Sequence, residues 1–393
     1  MQSFSVVCTA CGDVQNVGAV YRCRRCGGIL EIALDYERIF AAVTFDEMAA
    51  RKVPGIWKYR ELLPADPEAE PVTLGEGDTP LLEAGNLKKL GKLPNVLLKN
   101  ETVNPTLSFK DRPMSVALTV AGQLGMREVV CASTGNTGVA ASAYAARAGL
   151  ACTVYAPVAT PREKLAVMES YGAVLRMIDG TFSDAYAVAH SDALDRGAFN
   201  LTSTYLNPYM VEGDKTLAYE IVVQYGGVPD WIIVPIGAGP LLAGCFKGFR
   251  EMKEAGFIDR IPRMAGVQAA GCAPIVRAFE GGKHDVDPWT DPIETKASGI
   301  ADPLSTYPED GTRTLSIIRE SGGAAIEVEE ERLFHWRRRL AETEGLLAEL
   351  SSATAVAAAE IMVERRIVSR EETVVSVVTG HGLKDMTVTI PKT

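Results

Sequence analysis

Segments typical of β-strands and of α-helices alternate along most of this 393-residue chain. Short apolar runs such as EVVCAS (128–133) and DWIIVPIG (230–237) are each followed by a small loop and a longer helix-like run. This alternation predicts an α/β protein with twisted, mostly parallel sheets. Ligands of such folds bind at the carboxyl ends of the strands, where the loops begin. Functional residues are therefore expected in the loops that follow strands.

The composition limits the possible functions. Hydrophobic residues make up 47% and charged residues 23% of the chain, which is typical of a globular protein long enough for two domains. The net charge of −10 argues against a nucleic-acid partner, because phosphate binding requires a basic surface. The longest apolar stretch, 139–159, is broken by Arg147 and Gly149, so no membrane span is expected. The N-terminus lacks the pattern of a secretory signal, and we expect a cytoplasmic protein.

Four of the eight cysteines form two Cys-x-x-Cys pairs near the N-terminus, and each pair is followed by glycine. Two such turns typically make a tetrahedral four-thiolate site, as in a structural zinc ribbon. The alternatives are a pair of disulfides or a site that has lost its metal. A four-thiolate site is coordinatively closed, so a structural role is expected. The predicted zinc ligands are Cys8, Cys11, Cys23 and Cys26.

Three loops at the ends of strands carry residues capable of chemistry. The first, NPTLSFKDRP (104–113), places Lys110 directly before Asp111 and Arg112, although a solvated helix start would show the same charges. The third, PIGAGPLLAG (235–244), is glycine-rich and opens a helix, so it could cradle a phosphate group.

The second loop, ASTGNTG (132–138), leads from a strand into an alanine-rich helix. Side-chain hydroxyl and amide groups here stand beside the N–H groups of the helix N-terminus, which is an arrangement suited to a carboxylate or phosphate. The alternative is a cluster of N-cap residues that closes a turn. The polar residues of this loop are Ser133, Thr134, Asn136 and Thr137.

Taken together, these loops resemble the fold-type II pyridoxal-phosphate enzymes, and most closely the threonine-synthase group. NPTLSFKDRP is similar to that group's Asn-Pro-Thr-Gly-Ser-Phe-Lys-Asp-Arg-Gly, and ASTGNTG matches its Ser-x-Gly-Asn-Thr helix start. LNPYMVEGDKT (206–216) and VVTGHGLKD (377–385) resemble two further motifs of the group. The likeness covers roughly residue 70 to the end, and an N-terminal zinc-ribbon-like segment occurs in some members.

The resemblance implies that Lys110 forms the Schiff base with pyridoxal 5′-phosphate. A free lysine has a pKa of about 10.4, so its amine must be desolvated or lie near positive charge to act near neutrality. Phe109 and Arg112 could supply these effects, and the released amine would remove the α-proton of the substrate. Leu107 and Pro113 stand where the group has glycine, so the surroundings of this lysine differ from those of its relatives.

The resemblance also implies the other cofactor and substrate contacts. Asn136 would bind the 3′-oxygen of the cofactor, and the hydroxyl of Thr379 would face its pyridine nitrogen. A neutral hydroxyl does not keep that nitrogen protonated as a carboxylate would, which favours elimination over transamination. The backbone of Gly237, Ala238, Gly239 and Leu241 would hold the cofactor phosphate, and Ser133, Thr134 and Thr137 the substrate carboxylate.

The expected substrate contacts depart from the family pattern. In threonine synthases an arginine, a serine and an asparagine help to bind the phosphate of the substrate. Met210, Tyr205 and Ala238 stand at the aligned positions, so Tyr205 and Met210 are expected to line the substrate site. Because a dianionic phosphate needs charge-assisted donors, these residues argue against O-phosphohomoserine. The side chains that could replace the lost donors are Arg162, Lys164 and Lys215.

The sequence thus predicts a threonine synthase-like lyase that performs β- or γ-elimination or replacement on a small, possibly phosphorylated amino acid. One alternative is a cysteate synthase-like or dehydratase-like paralogue that uses phosphoserine or a hydroxy amino acid. A non-catalytic protein that binds a metabolite is another.

The resemblance also predicts the domain organisation. We expect a zinc-ribbon-like segment at 1–34, a large pyridoxal-phosphate domain at 35–109 and 205–393, and a small α/β domain at 110–204. We expect a homodimer with a small amino-acid substrate and no nucleic-acid or membrane partner.

Overall fold

The computed structural model of the chain describes residues 4–66, 68–89 and 93–386. These residues separate into two compact units. The first lies within Met1–Asp78, Asn104–Thr106 and Lys110–Thr216, and the second within Thr79–Val103, Leu107–Phe109 and Leu217–Thr393.

Strands and helices alternate through both units. The first unit contains β1 (Phe4–Cys8), β2 (Val14–Gln15), β3 (Leu30–Leu34), α1 (Tyr36–Ala42), α2 (Phe45–Ala49), a 3₁₀ stretch (Gly55–Leu62), α4 (Asp111–Gln123), β6 (Glu128–Ala132), α5 (Asn136–Ala148), β7 (Ala151–Pro157), α6 (Arg162–Ser170), β8 (Val174–Ile178), α7 (Phe182–Arg196), β9 (Phe199–Asn200) and α8 (Pro208–Asp214). The second contains β4 (Leu81–Glu83), α3 (Gly85–Lys88), β5 (Asn95–Asn100), a 3₁₀ turn (Glu101–Val103), most of α9 (Thr216–Tyr225), β10 (Trp231–Pro235), α10 (Pro240–Glu254), β11 (Arg263–Ala269), α11 (Pro274–Glu280), α12 (Pro308–Glu320), β12 (Ala324–Val328), α13 (Glu330–Glu344), α14 (Leu350–Glu364), β13 (Thr373–Val378) and a 3₁₀ turn (Gly382–Asp385).

The first unit contains two sheets. The N-terminal strands form an antiparallel sheet in the order β2-β1-β3, and the later strands form a parallel sheet in the order β8-β7-β6-β9. Strands β6 and β7 are nearly continuous apolar runs because helices cover a parallel sheet on both faces. The carboxyl ends of β6 and β9 lie side by side, so the loops that follow them share one edge of the sheet.

The second unit is built on a six-stranded sheet in the order β12-β11-β10-β13-β5-β4. All neighbouring strands are parallel except β4, which pairs with β5 in the antiparallel direction at one edge. Helix α14 is buried along nearly its whole length, which explains why apolar and small residues occupy all of its faces. The adjacent strands β10 and β13 end in the glycine-containing segments that begin at Gly237 and Thr379.

The predicted α/β class with mostly parallel sheets is confirmed, and so is the alternation that predicted it. The predicted domain boundaries stay a prediction. None of the helices in the described part of the chain combines the length and apolar character that crossing a bilayer requires.

Candidate active site

Lys110 lies immediately before helix α4, at the end of the loop singled out from the sequence. Its side chain is half-buried, and its Nζ donates a hydrogen bond to Oγ of Ser203. Ser203 follows β9, so the carboxyl edge of the parallel sheet supplies the partner of the lysine amine. The partner is a neutral hydroxyl, which can both accept a hydrogen bond from the amine and donate one to it.

The charges that follow Lys110 support the loop. The Asp111 carboxylate accepts hydrogen bonds from the backbone N–H of Thr106 at 2.7 Å and from its hydroxyl at 2.5 Å. The Arg112 guanidinium donates to Oγ1 of Thr216 at 2.9 Å. Both side chains are fully buried, so the alternative of a solvated helix start is wrong.

In the second unit, residues 107–109 pair with the turn after β13. The backbone N–H of Phe109 donates to the carbonyl of Thr379 at 2.9 Å, and that of His381 to the carbonyl of Leu107 at 3.0 Å. This short antiparallel pairing ties the residue that precedes Lys110 in the chain to Thr379. Leu107 has a φ of 64°, in the left-handed region that favours glycine.

The hydroxyl of Thr379 has a partner on helix α14. Oγ1 of Thr379 lies 2.9 Å from Oγ of Ser352, which is fully buried in the first turn of that helix. The backbone N–H of Gly380 donates to the same Ser352 oxygen at 2.8 Å. Thr379 is therefore held both through its backbone and through its side chain.

The loop between β6 and α5 places its polar residues around the start of the helix. Oγ of Ser133 accepts hydrogen bonds from the N–H of Gly135 at 3.1 Å and of Gly138 at 2.8 Å. The O–H of Ser133 donates in turn to the carbonyl of Gly135 at 3.4 Å, so this hydroxyl closes the turn before the helix. Thr134 and Asn136 are half-buried, and Thr137 is buried in the first turn.

The loop between β10 and α10 has the backbone shape of an anion cradle. Gly239 has a φ of 102° and precedes the helix without a capping side chain, and Pro240 is the first helical residue. A Cβ atom on Gly239 would lie 2.3 Å from Oγ1 of Thr314, so no larger residue fits there. Gly237, Ala238 and Leu241 complete the segment, and their N–H groups belong to the region where a helix N-terminus attracts anions.

The residues expected to line the substrate site lie in and before α8. Tyr205 and Met210 are both buried. Lys215, a suggested replacement donor, is fully buried and pairs with Glu212, with 2.6 Å between Nζ and Oε2. Arg162, another suggested donor, forms an exposed ion pair of 2.7 Å with Glu169.

The four N-terminal cysteines are brought together. The sulfur atoms of Cys8, Cys11, Cys23 and Cys26 all lie within 4.8 Å of one another. In each Cys-x-x-Cys-Gly turn the glycine has a positive φ, 70° at Gly12 and 75° at Gly27, which explains the glycine after each pair.

Sequence reasoning missed Ser203 and Ser352. Ser203 follows a strand of only two residues, which is too short to be recognised, although the hydroxyl-rich run LTSTY (201–205) is a signal of the expected kind. Ser352 contacts Thr379, which lies 27 positions further along the chain, and no local pattern predicts that pairing.

Known proteins resemble the chain over most of its length. The family described as pyridoxal-phosphate dependent enzyme matches residues 72–380. A threonine synthase of Methanocaldococcus jannaschii is 40% identical over 380 residues, covering 96% of this chain and 92% of the relative. A threonine synthase of Mycobacterium tuberculosis is 40% identical over 334 residues, covering 84% of this chain and 89% of the relative.

Solved structures share the fold. A threonine deaminase from T.th. superposes with a TM-score of 0.64 at 25% identity, covering 77% of this chain and 92% of that one. Maize serine racemase superposes with a TM-score of 0.66 at 20% identity, covering 79% of this chain and 90% of that one. With these relatives and with the family match, the chain belongs to the pyridoxal-phosphate dependent enzymes and is a threonine synthase-like lyase.

Proposed function

We propose that the chain catalyses β- or γ-elimination, with or without replacement, on a small amino acid, and that Lys110 both anchors pyridoxal phosphate and transfers the α-proton. The observation that carries this proposal is the environment of Lys110. Its amine donates a hydrogen bond to the neutral hydroxyl of Ser203. The backbone N–H of the preceding residue, Phe109, donates to the carbonyl of Thr379. A catalytic base must take up a proton and release it again. The hydroxyl of Ser203 suits both states, because it can accept a hydrogen bond from the protonated amine and donate one to the neutral amine.

The residues present fit the cofactor. The Gly239 turn lets the backbone approach a phosphate group closely, and its position directly before α10 adds the favourable end of the helix dipole. We propose that the backbone of Gly237, Ala238, Gly239 and Leu241 holds the phosphate. Asn136 would orient the ring through its 3′-oxygen, and the hydroxyl of Thr379 would face the ring nitrogen.

Bound pyridoxal phosphate would supply an electron sink for the charge that develops at the α-carbon of the substrate. The protein residues would do the rest. Nζ of Lys110 would take the α-proton and hold it as an ammonium group beside Ser203. The O–H of Ser133, together with Thr134 and Thr137, would bind the substrate carboxylate and fix the α-carbon in place.

We consider two substrate classes, one suggested by the relatives and one by the residues of the site. Threonine synthase activity on O-phosphohomoserine is the first, because the relatives at 40% identity carry that name. The second is elimination or replacement on phosphoserine or a hydroxy amino acid. It is favoured by the buried, uncharged side chains of Tyr205 and Met210 and by the ion pair that engages Lys215.

A panel of O-phosphohomoserine, phosphoserine, serine and threonine separates the two classes, with release of phosphate, ammonia and keto acid scored for each. Threonine and phosphate from O-phosphohomoserine would establish the first class. Ammonia and a keto acid from serine or threonine, or phosphate from phosphoserine, would establish the second. Cofactor binding without turnover of any of the four would contradict the proposed function.

We further propose that the four-cysteine cluster binds one structural zinc ion. Sulfur atoms this close, on two glycine-terminated turns, match the donor set of a tetrahedral four-thiolate site.

The homodimer also stays a proposal, and sedimentation of the purified protein would test it. A cytoplasmic location, where thiols stay reduced, is consistent with the isolated, buried cysteines Cys131, Cys152, Cys245 and Cys272.

A further inference from the structure

The hydroxyl of Thr379 can serve a cofactor ring in two ways, and its partner decides between them. As a donor it suits an unprotonated ring nitrogen, and as an acceptor it suits a protonated one. Oγ1 of Thr379 lies 2.9 Å from Oγ of Ser352, and either atom can be the donor of that hydrogen bond. The direction of this one bond therefore sets what Thr379 offers to the ring.

The surroundings of Ser352 favour one direction. Its oxygen accepts the backbone N–H of Gly380 at 2.8 Å, and its single proton has two possible acceptors, Oγ1 of Thr379 at 2.9 Å and the carbonyl of Gly380 at 3.1 Å. That carbonyl already accepts the N–H of Glu349 at 2.9 Å. The shorter distance and the less occupied acceptor both direct the Ser352 proton to Thr379.

We propose that Ser352 is a positioning residue that makes the hydroxyl of Thr379 a hydrogen-bond donor toward the ring nitrogen of the cofactor. This inference rests on the proposed function, in which Thr379 faces that nitrogen. With the lone pair of Thr379 engaged by Ser352, the proton of Thr379 points away from helix α14, and the ring nitrogen stays unprotonated. An unprotonated ring is a weaker electron sink, which favours elimination and replacement over transamination.

The test is the ¹⁵N resonance of the ring nitrogen in protein reconstituted with ¹⁵N-labelled pyridoxal phosphate. In the wild-type protein the resonance is expected in the range of a neutral pyridine. Ser352→Ala frees the lone pair of Thr379, so the resonance should move toward the pyridinium range and the transamination side reaction should increase. Ser352→Cys, whose thiol is slightly larger than the hydroxyl and only a weak donor, should move the resonance in the same direction by a smaller amount.

Ser351 provides a matched control on the same helical turn. It is also buried, but its Oγ accepts the backbone N–H of Gly299 at 3.0 Å, so Ser351→Ala should leave the resonance unchanged. In a Thr379→Val background, Ser352→Ala should have no further effect, because the hydroxyl on which it acts is gone.

The outcomes distinguish this inference from the function on which it rests. A wild-type protein that does not bind the cofactor at Lys110 overturns the proposed function and this inference together. A wild-type protein that binds it there, with a protonated ring nitrogen, overturns this inference alone. So does a resonance that neither Ser352→Ala nor Ser352→Cys moves.

Discussion

At the scale of single residues, Lys110 and Thr379 each share a hydrogen bond with the hydroxyl of a serine. Ser203 accepts the hydrogen bond of the Lys110 amine, and Ser352 shares one with Thr379. Hydroxyls are neutral and can donate and accept at the same time, so they can hold a proton carrier without fixing its charge. The aspartate and the arginine that follow Lys110 are instead fully buried and stabilise its loop.

Ser203→Ala should slow removal of the α-proton about fivefold to tenfold, because the lost hydrogen bond to Lys110 contributes about 1 kcal/mol to positioning the amine. The measurement is the exchange of the substrate α-proton with solvent deuterium. Ser203→Thr keeps the hydroxyl and should exchange close to the wild-type rate. Equal rates in Ser203→Ala and the wild type would show that the contact has no part in proton transfer.

At position 107 a glycine variant should be more stable than an alanine variant, which is the reverse of the usual order. Its φ of 64° costs an L-residue about 1–2 kcal/mol, and glycine escapes that cost. Leu107→Gly should therefore have a free energy of unfolding about 1 kcal/mol above that of Leu107→Ala, whereas glycine is the less stable of the two at ordinary helix and strand positions. Denaturant unfolding of both variants measures the difference, and an alanine variant that is the more stable would refute the strain.

At the scale of elements, local sequence patterns predicted the helices and strands, which depend on residues close together in the chain. Strands β6 and β10 and the helices α5 and α10 that follow them lie where their apolar patterns placed them, since burial of one face or of both leaves a pattern in the sequence. The order of the second sheet was not predictable, because β13 pairs with β5, which precedes it by more than 270 residues. The two-residue strand β9, which leads to Ser203, leaves no pattern of its own.

The residues of the candidate site were likewise predictable only where they belong to a local motif. Lys110 and the loops at 133–137 and 237–241 were predicted from motifs that are continuous in the chain. The contacts of Lys110 with Ser203 and of Thr379 with Ser352 join distant segments, so they became visible only in the folded chain. The sequence left the full burial of Arg112 open, because a charge next to another charge also fits a solvated helix start.

The N-terminal sheet is attached to the rest of the first unit by tyrosine hydroxyls. The hydroxyl of Tyr209, in α8, donates to the carbonyl of Gly18 at 3.1 Å and accepts its N–H at 3.2 Å. Tyr209→Phe keeps the ring and removes both bonds, so the free energy of unfolding should fall by about 1–2 kcal/mol. Tyr171→Phe, at an exposed tyrosine, is the control and should have no measurable effect. An unchanged stability in Tyr209→Phe would show that this attachment contributes nothing.

The four-cysteine cluster should contain one zinc ion per chain, measured by elemental analysis of protein purified without chelators. Cys11→Ser should lower both the zinc content and the thermal midpoint, because the thiolates of a structural site contribute directly to folding. Cys152→Ala, at a buried cysteine outside the cluster, should keep one zinc ion per chain. A wild-type protein that purifies without zinc and is not stabilised by added zinc would contradict the metal assignment.

At the scale of the whole molecule, the family membership and the architecture agree. The family match spans residues 72–380, which includes every loop that the proposed function uses. The four-cysteine segment lies before this range and belongs to the first unit. The relatives at 40% identity carry one name, whereas the solved structures that share the fold include a deaminase and a racemase. The fold therefore allows several reactions, and the residues of the site must select among them.

The most direct test of the account is to find the lysine that binds the cofactor. Protein incubated with pyridoxal phosphate and reduced with borohydride should carry one phosphopyridoxyl group per chain, and mass spectrometry of its peptides should place the group on Lys110. Lys110→Ala should carry none. Lys99 and Lys215 remain in that variant, but both are fully buried and each donates a hydrogen bond to a glutamate. A group on another lysine, or none on the wild-type protein, would contradict the central claim.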